Sequence, residues 1–207
     1  MPRRGPNDGG EKRNRILRAA IRIFSQKGFF NSKVSEIARA SGVADGTIYL
    51  YFKNKDDLLI SLFEEKMGEM VADVRQRTAA GENAFAKLRI FMDNHMGLLE
   101  REAGLVEVLM VELRQSNKFL KDYVPVKFFE YLEVLGGILE EGKRQGIFRP
   151  DLNVSVMRRA IFGALDELCL TYVLSKKPKY HPSVSSAELF RVFAEGLCVP
   201  RPDAAGV

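Results

Sequence analysis

The chain has 207 residues, of which 46% are hydrophobic and 29% are charged, and its formal net charge is +5 at pH 7. These proportions are ordinary for a globular protein with one large core or two smaller domains. No apolar run is long enough to predict a transmembrane helix, and the first ten residues lack the apolar stretch of a secretory signal. The sequence therefore predicts a cytoplasmic protein without a membrane partner.

The positive charge is confined to the N-terminal quarter of the chain. Residues 1–54 contain 11 basic and 4 acidic residues, a net charge of +7, whereas the remainder contains 21 basic and 23 acidic residues, a net charge of −2. A basic surface of this kind either binds phosphate groups or is merely solvated. A nucleic-acid-binding motif in the same segment would favour the first interpretation.

The N-terminal residues divide into an arm and a helix. Residues 1–10 are rich in Pro, Gly and charge and are predicted to form a disordered basic arm. Such an arm either follows the DNA backbone or only solubilises the chain. Residues 11–27 are predicted to form a helix because Leu17 and Phe24 lie on one apolar face, and Gly28 is predicted to end it.

A helix-turn-helix pattern follows the first helix. Ser32 is predicted to cap a short second helix, and Gly42 is predicted to end it, because glycine readily adopts the left-handed conformation. A further helix is predicted over residues 44–52, where Ile48 and Phe52 can face inward. In motifs of this layout the last helix enters the major groove of DNA.

The remainder of the chain has a helical pattern throughout, without the alternation that predicts strands. A long helix is predicted from residue 54 to about residue 77, with Asn54 as its N-cap. Five further helices are predicted over residues 83–101, 103–117, 125–145, 154–174 and 186–198. The predicted fold class is therefore all-α, with an N-terminal three-helix helix-turn-helix domain at residues 11–54 and a C-terminal helical bundle at residues 55–200.

The sequence gives little support for a catalytic site or a metal-binding site. The two histidines, His95 and His181, each lack a second ligand at helical spacing, so no metal site is predicted. Asp166 and Glu167 are adjacent on a predicted helix and point about 100° apart, which prevents them from acting as a close acid/base pair. No nucleotide-binding or nucleophile motif is present. The sequence predicts neither an enzyme nor a cofactor site.

The helix-turn-helix segment resembles a known family. Residues 37–38 (Ile-Ala), 42–43 (Gly-Val), 46–49 (Gly-Thr-Ile-Tyr), 51–55 (Tyr-Phe-Lys-Asn-Lys) and 58–59 (Leu-Leu) form a pattern similar to the signature of the TetR family of bacterial transcriptional repressors. The resemblance covers about residues 11–60. It implies a homodimer that binds a palindromic operator in double-stranded DNA, with the C-terminal bundle serving effector binding and dimerisation.

The same resemblance implies which residues contact DNA. They lie at the start of the second helix, along the third helix and at the start of the fourth: Lys33, Ser35, Asp45, Gly46, Thr47, Tyr49, Tyr51 and Lys55. Lys55 is assigned a phosphate contact. Asp45 departs from the expectation of a basic surface, because an acid near phosphate lowers affinity unless it accepts from a cytosine amino group.

A narrower resemblance concerns the effector. Residues 43–68, 111–117 and 161–173 are similar to the TetR-type repressors of fatty-acid degradation, which release DNA when they bind a long-chain acyl-CoA. The predicted ligand-binding residues are Phe91, His95, Leu98, Met110, Arg114, Asn117, Phe128, Tyr131, Phe162 and Leu165. Such apolar stripes are also typical of a plain core. Arg114 and Asn117 are either polar effector contacts or a helix C-terminal arginine and its capping residue.

Dimerisation is predicted through the last two helices. Two apolar stripes there exceed what one layer of intrachain neighbours needs: Ile161, Leu165, Leu168 and Tyr172 on one helix, and Leu189, Val192, Phe193 and Gly196 on the other. The alternative is that these stripes complete the core of the monomer.

Two other functions remain open. One is a TetR-type regulator of an efflux or other catabolic operon, with a multidrug cation, an aromatic or another apolar molecule as its effector. The other is a helical acyl-CoA carrier or enzyme, which the helix-turn-helix pattern and the localised charge oppose.

Overall fold

The computed structural model describes residues 8–113 and 123–199, and the regular secondary structure in these ranges is helical, as predicted. An isolated β-bridge joins Phe148 to Cys198. The helices are α1 (Asp8–Lys27), α2 (Val34–Ser41), α3 (Asp45–Ile48), α4 (Lys55–Thr78), α5 (Ala84–Arg101), α6 (Ala103–Glu107), α7 (Val126–Arg144), α8 (Val154–Leu174) and α9 (Pro182–Leu197). A π-helical turn, Val108–Glu112, directly follows α6.

The chain forms two compact units. The N-terminal unit comprises Met1–Lys66 and Glu102–Pro125, and the C-terminal unit comprises Met67–Arg101 and Val126–Val207. These units differ from the predicted domains because α6 and the π-helical turn belong with the N-terminal helices. The predicted functional limits at residues 11–54 and 55–200 stay predictions, and the predicted disordered arm lies outside the described residues except for its last three positions, 8–10, which are helical and begin α1.

In the N-terminal unit, α1 packs against α2 and against α6. The predicted apolar face of α1 supplies this core, and Leu17 and Phe24 are both buried. Ile48 and Phe52 are also buried, which confirms that they face inward. Buried side chains therefore hold the helix-turn-helix segment against the core, and the residues between Ile48 and Phe52 include the exposed Tyr49 and Leu50.

In the C-terminal unit, α5 lies at the centre and contacts α7, α8 and α9. Its apolar residues are buried together with those of α7 and α8: Leu88, Phe91, Met92, Met96, Tyr131, Leu135, Leu139, Ile161 and Leu165. None of the helices in the described part of the chain is both long and apolar enough to cross a membrane.

Most predicted helix ends are confirmed, with one error at a cap. Gly28 and Gly42 have φ values of 78° and 70°, so each ends its helix in the left-handed region as predicted. Asn54 caps α4, because its Oδ1 accepts from the Asp57 amide at 2.8 Å. The predicted cap at Ser32 is wrong. Its hydroxyl instead donates backwards to the Gly28 carbonyl at 2.6 Å, at the end of α1.

Four predicted helices have different limits, and the first of them, α1, begins at Asp8 rather than at residue 11. Regular α3 ends at Ile48 rather than at residue 52, since three of the next four residues, Tyr49, Tyr51 and Phe52, are aromatic and have low helix propensity. The predicted helix over 103–117 becomes a π-helical turn after Glu107, and its last four residues lie outside the described residues. Helix α9 begins at Pro182, one turn earlier than predicted, because proline suits the first position of a helix.

The predicted dimer stripes have a mixed outcome. Ile161 and Leu165 are fully buried within their own unit, so their predicted place in a dimer interface is wrong and they complete the monomer core. Val192 on α9 is 59% exposed. Leu168 and Tyr172 are half-buried. For these residues, the interface role stays a prediction.

Candidate DNA-binding and effector sites

An open cleft of about 450 Å³ lies where the start of α2, the start of α3 and the start of α4 meet. Its lining includes five of the eight predicted DNA-binding residues: Lys33, Ser35, Asp45, Tyr49 and Lys55. The other three lie close by in the chain. Gly46 is exposed on α3, whereas Thr47 and Tyr51 are half-buried.

The residues just after α3 present apolar side chains to solvent. Tyr49 is 57% exposed and Leu50 is 82% exposed. Leu50 is not among the predicted DNA-binding residues, although its position between the inward-facing Ile48 and Phe52 indicates that it faces outward. An exposed aromatic and an exposed aliphatic side chain on a basic unit are suited to contact DNA, since apolar side chains pack against thymine methyl groups in the major groove.

The start of α2 is fixed by Glu36. Its carboxylate accepts from the Lys33 amide at 3.0 Å and pairs with the Lys27 ammonium at 2.6 Å. Hydrogen bonding from Lys27 lowers the pKa of Glu36 below its usual value, and the bond from the Lys33 amide adds to this effect. The backbone that carries Lys33 and Ser35 into the cleft therefore has a defined position.

Lys55 has a structural role that the sequence did not predict. Its ammonium donates to the carbonyls of Phe29, Phe30 and Ser32 at 2.7, 3.2 and 3.1 Å, and it lies over the Phe29 ring. An ammonium has three donors, so these carbonyls occupy all of them. The structure therefore gives Lys55 a second role, as an anchor for the turn between α1 and α2, and its predicted phosphate contact stays a prediction.

A second basic feature lies between α1 and the end of α2. A groove of about 230 Å³ is lined by Arg15, Arg18 and Arg22, together with Ala40 and Ser41. Arg22 donates to the Ala40 carbonyl at 3.3 Å. These arginines are not among the predicted DNA-binding residues, although their spacing of three and four along α1 places them on one helical face.

The C-terminal unit brings five predicted effector residues into one aromatic cluster, formed by Phe91, His95, Phe128, Tyr131 and Phe162. The Phe91 and Tyr131 ring centroids are 5.0 Å apart, and so are those of Phe128 and Phe162. The His95 ring lies 5.7 Å from that of Phe162. These edge-to-face and tilted contacts are the arrangements that aromatic rings prefer.

His95 and Tyr131 form a polar pair inside this cluster. The His95 Nδ1 lies 3.0 Å from the Tyr131 hydroxyl, and both residues are buried. Burial lowers the pKa of His95 from 6.5 to about 4, so the imidazole is neutral at pH 7. Burial also raises the pKa of Tyr131, so its phenol stays protonated.

The other predicted effector residues are placed differently. Leu98 and Leu165 are buried in the C-terminal unit. Met110 is half-buried in the π-helical turn of the N-terminal unit. Arg114 and Asn117 lie outside the described residues.

Comparison with known proteins identifies the family. Residues 16–62 match the bacterial regulatory proteins of the tetR family, and residues 63–196 match the C-terminal region of YsiA-like proteins. The chain is 39% identical over 182 residues to the fatty acid metabolism regulator protein of Bacillus subtilis. The aligned region covers 88% of this chain and 93% of that protein.

Two solved structures have a similar fold. The FadR regulator of Bacillus subtilis in complex with stearoyl-CoA superposes with a TM-score of 0.82 at 39% identity, over 88% of this chain and 98% of that chain. The fatty acid degradation regulator FadR of Bacillus halodurans has a TM-score of 0.82 at 38% identity, over 89% and 98% of the two chains. The chain therefore belongs to the TetR family of bacterial regulatory proteins, as its helix-turn-helix residues indicate.

Proposed function

We propose that this protein is a homodimeric, cytoplasmic transcriptional repressor of fatty-acid degradation genes that binds a palindromic operator and releases it on binding long-chain acyl-CoA. The observation that carries the DNA-binding half is the cleft lined by Lys33, Ser35, Asp45 and Tyr49 in a unit whose first 54 residues have a net charge of +7. Regulators of fatty-acid metabolism among the relatives support the effector half.

DNA recognition assigns separate tasks to the two helices. Lys33 and Ser35 line the cleft at the start of α2, and we assign them to the phosphate backbone, whose contacts set the orientation of a protein on the duplex. Thr47, Tyr49 and Leu50 lie on and just after α3, where side chains reach base edges in the major groove. Two such units in a dimer read half-sites about one helical turn apart.

The effector site is supported by the aromatic cluster in the C-terminal unit and by the stearoyl-CoA complex of a relative that is 39% identical. In this structure the cluster rings pack against each other, so an acyl chain must separate them to enter. Moving a two-state equilibrium from mostly one form to mostly the other takes about 5 kcal/mol of differential binding. At about 0.8 kcal/mol for each buried methylene, a long acyl chain can supply this difference, whereas a short one cannot.

The DNA-binding assignment is tested by selecting operator duplexes from a random library and measuring the affinity of variants by fluorescence anisotropy. We expect Tyr49→Ala to weaken specific binding by about 100-fold, and Tyr49→Phe to separate the loss of the hydroxyl from that of the ring. Val156→Ala is the matched control, since Val156 is an exposed apolar residue on α8. Unchanged operator affinity of Tyr49→Ala would contradict the assignment.

The effector assignment is tested by titrating butyryl-, lauroyl- and stearoyl-CoA into the labelled operator complex. We expect release to strengthen with chain length, and free CoA to leave the complex intact, because the methylenes supply most of the differential binding. An aromatic cation serves as the comparison for a drug-sensing regulator. Release that is independent of chain length, or equally strong with the cation, would assign the protein to another TetR-type operon.

A further inference from the structure

The π-helical turn of the N-terminal unit contacts the end of α1 through one buried acid. Glu112, the last residue of that turn, is 5% exposed, and its Oε2 accepts from the Phe29 amide at 2.5 Å. Gly28, directly before Phe29, has a φ of 78°, which other residues rarely adopt. A Cβ at Gly28 would lie in ordinary van der Waals contact with the same oxygen, at 3.5 Å, so the backbone conformation rather than space favours glycine there.

The segment that carries Glu112 is held against α1 at a second position. Gly104 of α6 lies so close to α1 that a Cβ there would come within 3.2 Å of the Ser25 hydroxyl oxygen. Leu105 and Val108, which follow Gly104 in the chain, are both buried. The segment 103–112 is thus packed along the second half of α1, and Glu112 forms its hydrogen bond at the far end.

Phe29 connects this contact to the DNA-binding cleft. The Phe29 amide donates to Glu112, while the Phe29 carbonyl accepts from the Lys55 ammonium. The same ammonium holds the Ser32 carbonyl, and Ser32 directly precedes Lys33 at the start of α2. Lys33 and Lys55 both line the cleft. A continuous series of bonded groups therefore runs from the π-helical turn to the residues proposed to position the protein on DNA.

We infer that Glu112 is a positioning residue that couples effector binding to operator affinity by holding Phe29 in the DNA-competent form and losing that contact when acyl-CoA binds. This inference rests on the proposed function. Met110, one of the predicted effector contacts, lies two residues before Glu112 in the same π-helical turn. A π-helical turn contains one residue more than an α-helical turn, so conversion to α-helical register would rotate Glu112 by about 100° relative to the residues before the turn.

This contact can serve as a switch because a buried polar group without its hydrogen bond costs free energy. A buried carboxylate needs its hydrogen bond, and so does a buried backbone amide. Neither group is stable at an intermediate distance, so the contact is either formed or replaced by hydration of both groups. Coupling of two sites requires such an element with two discrete arrangements.

The test compares Glu112→Ala, Glu112→Gln and Glu102→Ala for operator affinity with and without stearoyl-CoA. Glu102 is an exposed acid at the start of α6 and is the matched control. We expect Glu112→Ala to weaken operator binding about 10-fold without effector, which corresponds to the loss of one charged hydrogen bond. Its further response to stearoyl-CoA should shrink, because the contact that the effector breaks is already missing. Glu112→Gln should remain within about threefold of the wild type, since its amide oxygen still accepts.

Hydrogen exchange of the Phe29 amide gives a second measurement. It uses the wild-type protein, so it does not require that any variant folds. We expect stearoyl-CoA to accelerate this exchange by at least 10-fold. If the wild type is not released by stearoyl-CoA, the proposed function fails, whatever the variants do. If the wild type is released but the Phe29 amide stays protected, or Glu112→Ala keeps the full response, the inference about Glu112 is overturned while the proposed function stands.

Discussion

The Nδ1 of His95 lies 3.0 Å from the hydroxyl oxygen of Tyr131 in the interior of the C-terminal unit. Both side chains also contact the Phe162 ring edge-to-face, so the polar pair is enclosed by aromatic rings. Removing either partner leaves a buried polar group without its hydrogen bond, which costs about 1–3 kcal/mol. The pair therefore affects both stability and the position of the rings proposed to meet the acyl chain.

Stability is expected to fall as the pH decreases from about 6.5 toward 4. The pKa of His95 is lowered from 6.5 to about 4 by burial, so the unfolded chain binds a proton in this interval and the folded protein does not. At pH 4 the loss of unfolding free energy approaches about 3 kcal/mol. Urea unfolding at pH 7 and pH 4.5 measures it, with His95→Gln as the variant that lacks this titration. An identical decline in both proteins would contradict the prediction.

Lys55→Met is expected to lower the unfolding free energy by about 2 kcal/mol. The substitution leaves three carbonyls of the turn between α1 and α2 without their shared donor. The salt dependence of operator binding should keep its slope, because the three donors of the ammonium are bound to carbonyls rather than to phosphate oxygens. Lys53→Met is the matched control, since Lys53 is exposed two positions earlier. A normal melting temperature with a reduced salt slope would instead support the predicted phosphate contact of Lys55.

Val192→Asp is expected to produce a monomer at micromolar concentration without unfolding the chain. Val192 lies on α9 and is 59% exposed, so a charge there is tolerated in the monomer but is costly in an apolar interface. Sedimentation velocity distinguishes the two states. Val156→Asp, an equally exposed valine on α8 outside the predicted stripes, is the control. Retention of the dimer by Val192→Asp would place the interface elsewhere.

Gly142→Ala is expected to be strongly destabilising, by about 3 kcal/mol or more. Within α7, a Cβ at this position would overlap the ring of Phe148, which is fully buried and cannot move into solvent. Gly137→Ala in the same helix is the control, because a Cβ there meets nothing within 4 Å. That substitution should raise the unfolding free energy by up to about 1 kcal/mol. Thermal unfolding of the two variants should therefore shift in opposite directions.

The amino-acid sequence by itself determined the helices, most of their ends and the family. Gly28, Gly42 and Asn54 act through local backbone and capping preferences, which depend on near neighbours in the chain. The helix-turn-helix signature likewise occupies one continuous segment, so its residues could be read in order. The inward-facing Ile48 and Phe52 followed from helical periodicity alone.

Tertiary structure decided what depends on distant residues. Lys55 anchors carbonyls more than 20 positions earlier, and Glu112 binds the amide of Phe29, 83 positions away. Ile161 and Leu165 face their own core rather than a second subunit, a choice that periodicity cannot make because both surfaces demand the same apolar stripe. A lysine or a glutamate can bind a ligand, face solvent or bind the backbone, and the fold decides among these roles by bringing particular backbone groups within hydrogen-bonding distance, as it does for Lys55 and Glu112.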